Sequence, residues 1–375
     1  MSPAQPNLYP RRILLAVTGL TPQVVTETLY ALIHAEPAFV PTEVRLITTG
    51  EGAARARLAL LSQEPGWFRR FCQDYDLPSI AFDTSHIQVL ADARGNPLDD
   101  IRSPEDNRRA ADLISETVRA LTADAASALH VSLAGGRKTM GYYLGYALSL
   151  YGRPQDRLSH VLVNEPFESS WDFFYPTPYE RVIQTRDQKL ANCREARVTL
   201  AEIPFVRLRE GLPARLLDGH AVFSEAVDAA NRVLAAPQLK LCMANAGVFA
   251  DGERIDLGPT EFVVLYWLAS RARTDEPEID WSRPEAAEDF LRHARQVMHP
   301  ASAEYERLEK ALRWRRGDPK AMGEYFEPQK SRVNKAFAKA LGDWAAQRYQ
   351  IRRSGPRGAS RYALPLTAAQ IEIGA

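Results

Sequence analysis

A chain of 375 residues exceeds the usual size of one hydrophobic core, so two domains are expected. Charged residues make up 25% and hydrophobic ones 45%, with 47 basic side chains against 47 acidic ones, and no apolar run reaches the roughly 18 residues of a membrane span. The opening Met1 to Pro10 lacks the apolar core of a signal peptide, and Cys72, Cys193 and Cys242 are too far apart for a zinc site or a disulfide framework, so a cytoplasmic protein without membrane contact or metal is expected.

In chain order, the first part alternates strand-like and helix-like segments. Strands are predicted near Arg12–Val17, Glu43–Thr48, Ile80–Val89, Leu129–Leu133 and Leu158–Val163, and helices near Pro22–Ala35, Ala53–Tyr75, Pro104–Leu121 and Lys138–Tyr151. Such alternation implies βαβ units, hence an α/β, Rossmann-like and mostly parallel sheet. Arg197–Leu208 is a further strand closing this domain or pairing with its neighbour. The pattern changes near Gly211–Gly219. Phe223–Leu234 is a connecting helix, Leu239–Leu257 a hairpin turning at Asp251-Gly252, and Pro259–Ala272 an amphipathic helix. Charged helices run to Trp314, Pro328–Leu341 makes a basic helix, and Tyr349–Leu364 a strand pair. That order describes a smaller α+β, winged-helix-like domain. The expected division is residues 1–210, a connecting helix over 211–236, and 237–375.

Two loops carry the chemistry. Ile13-Leu14-Leu15-Ala16-Val17 runs into Thr18-Gly19-Leu20-Thr21-Pro22-Gln23, where Thr21 suits an N-cap and Pro22 the first helical position. Leu129 to Leu133 runs into Ala134-Gly135-Gly136-Arg137-Lys138-Thr139, a glycine pair before a helix whose first turn is cationic. Glycines allow close backbone approach, and helix starts offer free N–H groups and a positive dipole end, so both loops fit a phosphate-bearing ligand at the carboxyl ends of a parallel sheet. Arg137 separates Gly136 from Lys138, so this is no Walker A motif, and the first loop lacks the Gly-x-Gly-x-x-Gly of dinucleotide enzymes. The other reading of the second loop is an ordinary turn with two surface cations.

The run from Leu14 through Gln23 to Thr28, and Ser132 through Lys138 to Met140, resemble the CRISPR-associated Rossmann-fold (CARF) proteins, and more narrowly the ring-nuclease family of type III CRISPR systems. With Ile47-Thr48-Thr49-Gly50 and His160–Pro166, the resemblance spans roughly the first 180 residues. It implies a homodimer that binds a cyclic oligoadenylate, usually cyclic tetra-adenylate. Carried over onto this sequence, it places Thr18, Gly19, Gln23, Gly135, Gly136, Arg137, Lys138 and Thr139 at the ligand, and Thr21 of the first loop is a further candidate ligand-binding residue. Phe167, Trp171, Phe173, Phe174 and Tyr175 are candidate base neighbours, although a packed aromatic cluster is the stronger reading for most of them.

Cleavage of such a ring needs no water: a ribose 2′-hydroxyl attacks its own phosphate, with Lys138 or Arg137 stabilising charge on the phosphoryl oxygens and Thr18, Thr21 or Thr139 orienting the hydroxyl. With no His in either loop, no strong base is visible and slow turnover is expected; with no Cys/His cluster and no grouped Asp or Glu beside the loops, no cofactor is expected either. The leading alternative is a ligand-gated regulator that binds double-stranded DNA through Lys330, Arg332, Lys335 and Lys339 on the basic helix and Arg353 in the hairpin. The same cations equally suit the solvated face of a dimerisation or regulatory module. A third reading, a ligand-activated ribonuclease, rests on Arg292 and His299, whose spacing resembles the Arg-x4–6-His pattern of HEPN ribonucleases.

Overall fold

The structure, a computed structural model, describes residues 5–168, 170–212, 216–217, 222–232, 236–276, 278–316, 318–356 and 360–374. Arg357 and parts of the expected 211–236 linker lie outside the described residues. The chain forms two compact units, Met1–Arg209 with His220–Ser224, and Glu210–Gly219 with Glu225–Ala375.

In the first unit, β1 (Arg11–Val17), β2 (Glu43–Thr48), β3 (Ile87–Val89), β4 (Ser127–Ser132) and β5 (Arg157–Val163) pair in parallel. A small hairpin, β6 (Val182–Gln184) and β7 (Leu190–Asn192), stands apart from this sheet. β8 (Val198–Glu202) adds an antiparallel edge beside β5, so the order is β3-β2-β1-β4-β5-β8. The expected α/β fold with a mainly parallel sheet is therefore present. Ile13 to Val17 of β1 are at most 1% exposed, as a central parallel strand covered on both faces requires.

Among the described residues, α1 (Gln23–Ile33), α2 (Gly50–Ala56), α3 (Trp67–Asp74), α4 (Pro104–Ala123) and α5 (Lys138–Tyr151) accompany these strands. The strand order reverses between β1 and β4: β1 leads through α1 to β2 on one side, whereas β4 leads through α5 to β5 on the other. A crevice opens at such a reversal, outside the carboxyl ends of the two strands. Both loops singled out above emerge there.

The second unit has a four-stranded sheet, β11-β10-β9-β14, built from β9 (Leu239–Cys242), β10 (Gly247–Ala250), β11 (Glu253–Ile255) and, later in the chain, β14 (Ile371–Gly374). Asp251 and Gly252, at φ +49° and +82°, make the β10–β11 turn, the left-handed pair expected of a two-residue hairpin. Helices Pro259–Arg273, Pro284–Val297, Ala303–Arg313 and Pro319–Leu341 follow, then the pair β12 (Arg352–Ser354) and β13 (Arg361–Ala363). Trp267, Phe290 and Phe326 pack at the centre with ring centroids 5.2 to 5.6 Å apart.

Candidate functional site

The crevice is built from main chain first. The Thr18 N–H donates to the Ile47 carbonyl at 3.1 Å, and the Thr48 hydroxyl donates to the Thr18 carbonyl at 2.8 Å, so the first loop is pinned to the end of β2. Thr28 and Ser132 join hydroxyls at 3.1 Å, tying α1 to the end of β4. The two loops meet at their glycines: a Cβ on Gly19 would stand 3.7 Å from the Gly136 Cα. One on Gly135 would stand 2.7 Å from the Val17 carbonyl oxygen and 3.0 Å from the Val24 side chain. Gly136 has φ +77°, a left-handed backbone that lets the chain turn into α5.

Two helices begin at this junction, and neither is closed. α1 starts after Pro22 and α5 after Arg137, both without a side-chain cap and both without an acidic residue in the first turn. Elsewhere in the unit Thr49 caps α2 ahead of Glu51 and Ser103 caps α4 ahead of Glu105 and Asp106, whereas α3, which starts after Gly66 and away from this junction, likewise has neither a side-chain cap nor an acid in its first turn. Thr21 is thus not the N-cap expected from sequence. A helix start that lacks its own acceptor and acid leaves its N–H groups and dipole free for an external anion.

The expected residues divide by exposure. Arg137, Lys138 and Thr139 are exposed at the start of α5, and Thr21 is exposed at the start of α1. Arg137 pairs with Asp100 through both carboxylate oxygens, Nε to Oδ1 at 2.8 Å, and its guanidinium holds the Asp100 carboxyl below the usual range. Lys138 makes no ion pair among the described residues. The Thr18 side chain, by contrast, is fully buried, and its Oγ1 has no hydrogen-bond partner among the described residues.

Two cavities flank the glycine junction. One, about 270 Å³, is lined by Gly19, Thr49, Glu51, Asp99, Asp100 and Arg137 among others. The other, about 460 Å³, has Thr21, Gln23, Glu27, His160, Glu168 and Trp171 in its walls. Here sequence reading missed much. It saw neither a base nor grouped acids beside the loops, yet His160 and Glu27 line one cavity and Asp99, Asp100 and Glu51 the other. Glu27 alone carried a signal, standing four positions after Gln23 on one helical face. Asp99 and Asp100 gave none, since a tertiary contact, Gly50 N–H to Leu98 carbonyl at 2.7 Å, brings their loop to the site. No group of three or more His, Cys, Asp or Glu among the described residues could hold a metal ion.

Of the five aromatic candidates, Phe167, Phe173, Phe174 and Tyr175 are at most 5% exposed and belong to the core, whereas Trp171 is 58% exposed in the cavity wall. The Arg55 guanidinium lies 5.4 Å from its ring centroid. In the second unit Lys330 pairs with Glu327 at 2.6 Å and Arg332 with Glu261 at 3.1 Å, while Lys335, Lys339 and Arg353 are exposed. Arg292 pairs with Asp289, and the exposed His299 accepts from the Ala301 N–H at 3.1 Å. No helix of the described residues is long and apolar enough to cross a membrane.

Two solved structures are similar over most of this chain. Csm6 from Enterococcus italicus, bound to cyclic hexa-2′-fluoro-hexa-dAMP, is 11% identical, with 87% of this chain and 61% of that chain covered at a TM-score of 0.26. Can2 from Sulfobacillus thermosulfidooxidans, in complex with cyclic tetra-adenylate, is 11% identical, with 93% and 74% covered at 0.21. The chain thus spans 61% of the Csm6 length, and at these scores neither likeness carries an argument about ligand or activity. No curated protein matches. Residues 21–236, more than half of the chain and including the second loop and the end of the first, match the family described as CRISPR-associated protein NE0113, and the chain belongs to that CRISPR-associated family.

Proposed function

We propose that the first unit binds cyclic tetra-adenylate, the ring expected from the CARF resemblance, and cleaves it as a metal-independent ring nuclease working as a homodimer in the cytoplasm. The observation that carries this reading is the pair of uncapped, acid-free helix starts at the point where strand order reverses, with Lys138 exposed on one of them. Ring phosphates are the external acceptors those N–H groups lack. The ribose 2′-oxygen attacks the adjacent phosphorus, the bond to the 5′-oxygen breaks, and the hydroxyl proton passes to that leaving oxygen. Two such cuts convert the ring into two di-adenylates ending in 2′,3′-cyclic phosphate. Lys138 stabilises charge growing on the phosphoryl oxygens, and Asp100 holds Arg137 beside it.

The reaction consumes no water and needs no ion to make a nucleophile. Purified protein with labelled ring should therefore cleave equally well with EDTA or with Mg²⁺; activity lost in EDTA and restored by Mg²⁺ or Mn²⁺ contradicts the mechanism.

A second reading, ring-gated binding of double-stranded DNA, is favoured by one feature of the second unit. Lys335 and Lys339 are exposed one helical turn apart, and Arg353 is exposed on the β12–β13 pair, an arrangement of helix and hairpin that suits a winged helix. Changing all three to Glu is expected to abolish duplex binding and leave ring binding intact. Wild-type binding should also fall steeply between low and high salt, as counterion release requires. A mobility-shift titration that finds no duplex bound at any salt, with or without the ring, rejects this reading.

A further inference from the structure

The larger cavity has a chemical polarity that phosphate binding leaves unused. Gln23 is 6% exposed, and its Nε2 donates to the Trp171 carbonyl at 2.9 Å. A carbonyl only accepts, so this bond fixes the amide orientation and leaves Oε1 as the free end. That oxygen is buried, has no hydrogen-bond partner among the described residues, and belongs to a residue of the cavity wall. Glu27 lies four residues further along α1 on the same helical face and lines the same cavity. Trp171 contributes an exposed aromatic ring, and a volume of about 460 Å³ falls in the range of small-molecule pockets.

Resting on the ring-binding reading above, we infer that this cavity is a purine subsite in which Gln23 and Glu27 read the edge of an adenine lying against Trp171, and so select adenine over guanine. Adenine presents an amino donor beside a ring-nitrogen acceptor. The orphaned Gln23 oxygen takes the amino proton, and the Glu27 carboxyl, in its neutral form, donates its O–H to the ring nitrogen. Guanine puts a carbonyl oxygen where adenine has its amino group. Two acceptors then face each other, and the buried Gln23 oxygen stays unpaired.

The neutral form is the one present at physiological pH, because burial first, and the neighbouring Glu168 carboxylate second, push the Glu27 carboxyl up to about 8. The other titratable or charged groups lining this cavity are His160 from β5 and Arg186 from the β6–β7 turn. Above that value Glu27 becomes a carboxylate, which accepts but cannot donate, and adenine loses its partner. Glutamine at the same position keeps a donor and an acceptor at every pH.

The test is calorimetric titration of wild-type protein, Glu27→Gln and Gln23→Leu with cyclic tetra-adenylate and cyclic tetra-guanylate at pH 7 and pH 9, with thermal melts establishing that each variant is folded. Wild type should prefer the adenine ring and bind it about tenfold more weakly at pH 9, Glu27→Gln should lose that pH dependence, and Gln23→Leu should narrow the preference between rings at least about tenfold. Adenine-ring affinity that is flat with pH in wild type, or that falls equally in Glu27→Gln, overturns the role of Glu27 while ring binding itself stands. A preference unchanged in Gln23→Leu overturns the role of Gln23. Failure of wild type to bind either ring at any pH overturns this inference together with the reading beneath it.

Discussion

Replacing Lys138 by alanine is expected to lower ring cleavage about 10²–10³-fold, the usual cost of removing one transition-state donor from a preorganised site. Ring affinity should fall only about tenfold, because on the proposed reading other N–H groups of α5 and the α1 start would still hold phosphate in the ground state. The asymmetry follows from position: Lys138 is the first residue of an uncapped helix and makes no ion pair among the described residues, whereas Arg137 is already held by Asp100. Single-turnover cleavage and equilibrium binding of the same variant separate the two effects. Cleavage at the wild-type rate in Lys138→Ala removes this residue from the reaction.

The second large effect concerns the glycine junction. Alanine at Gly135 puts a methyl 2.7 Å from the Val17 carbonyl oxygen, backbone that a rotamer change cannot move, so β1 and the second loop must part. The expected cost is about 1–3 kcal/mol of stability, with ring binding lost as the two helix starts separate. Gly141→Ala is the matched control. Its Cβ would meet nothing closer than the Leu133 carbonyl at 4.0 Å, and alanine favours the α5 interior, so its melting temperature should hold or rise slightly. Equal melting temperatures and ring affinities for Gly135→Ala and wild type would mean that the junction is looser than its geometry indicates.

Much of the sheet domain is legible in the sequence because its strands are continuous apolar runs and its helices start abruptly. Glu43–Thr48 and Lys138–Tyr151 match residue for residue. Ala53–Tyr75, expected as one helix, is instead α2 and α3 with a π-helical turn after α2, because Pro65 and Gly66 break the run, the latter at φ +56°. Ile80–Val89 shortens to Ile87–Val89, its earlier part contributing only a bridge at Ala81. Pro328 looks like a helix start but lies inside Pro319–Leu341; it is exposed, so the hydrogen bond it cannot make is lost on the side where water replaces it.

The site was legible to the extent that it is local. Glycines and cations beside a strand end announce an anion loop from sequence alone, and Arg137, Lys138 and Thr139 do stand exposed at the helix start. What sequence misses comes from distant segments that meet only on folding: Asp100 from the loop before α4, His160 from β5, and Trp171 from the loop after it. Thr18 shows a different limit of the sequence, which gives its place in the chain but not its burial. It belongs to the loop in sequence, yet it follows directly on a strand covered on both faces, and its side chain is fully buried.

The most direct measurement is the chemical identity of the products after the purified protein is incubated with labelled cyclic tetra-adenylate. Attack by the ribose 2′-hydroxyl predicts di-adenylates whose mass and phosphatase resistance show 2′,3′-cyclic phosphate ends, with a free 5′-hydroxyl at the other end. An intact ring after prolonged incubation, or products carrying 5′-phosphate ends, would contradict the account.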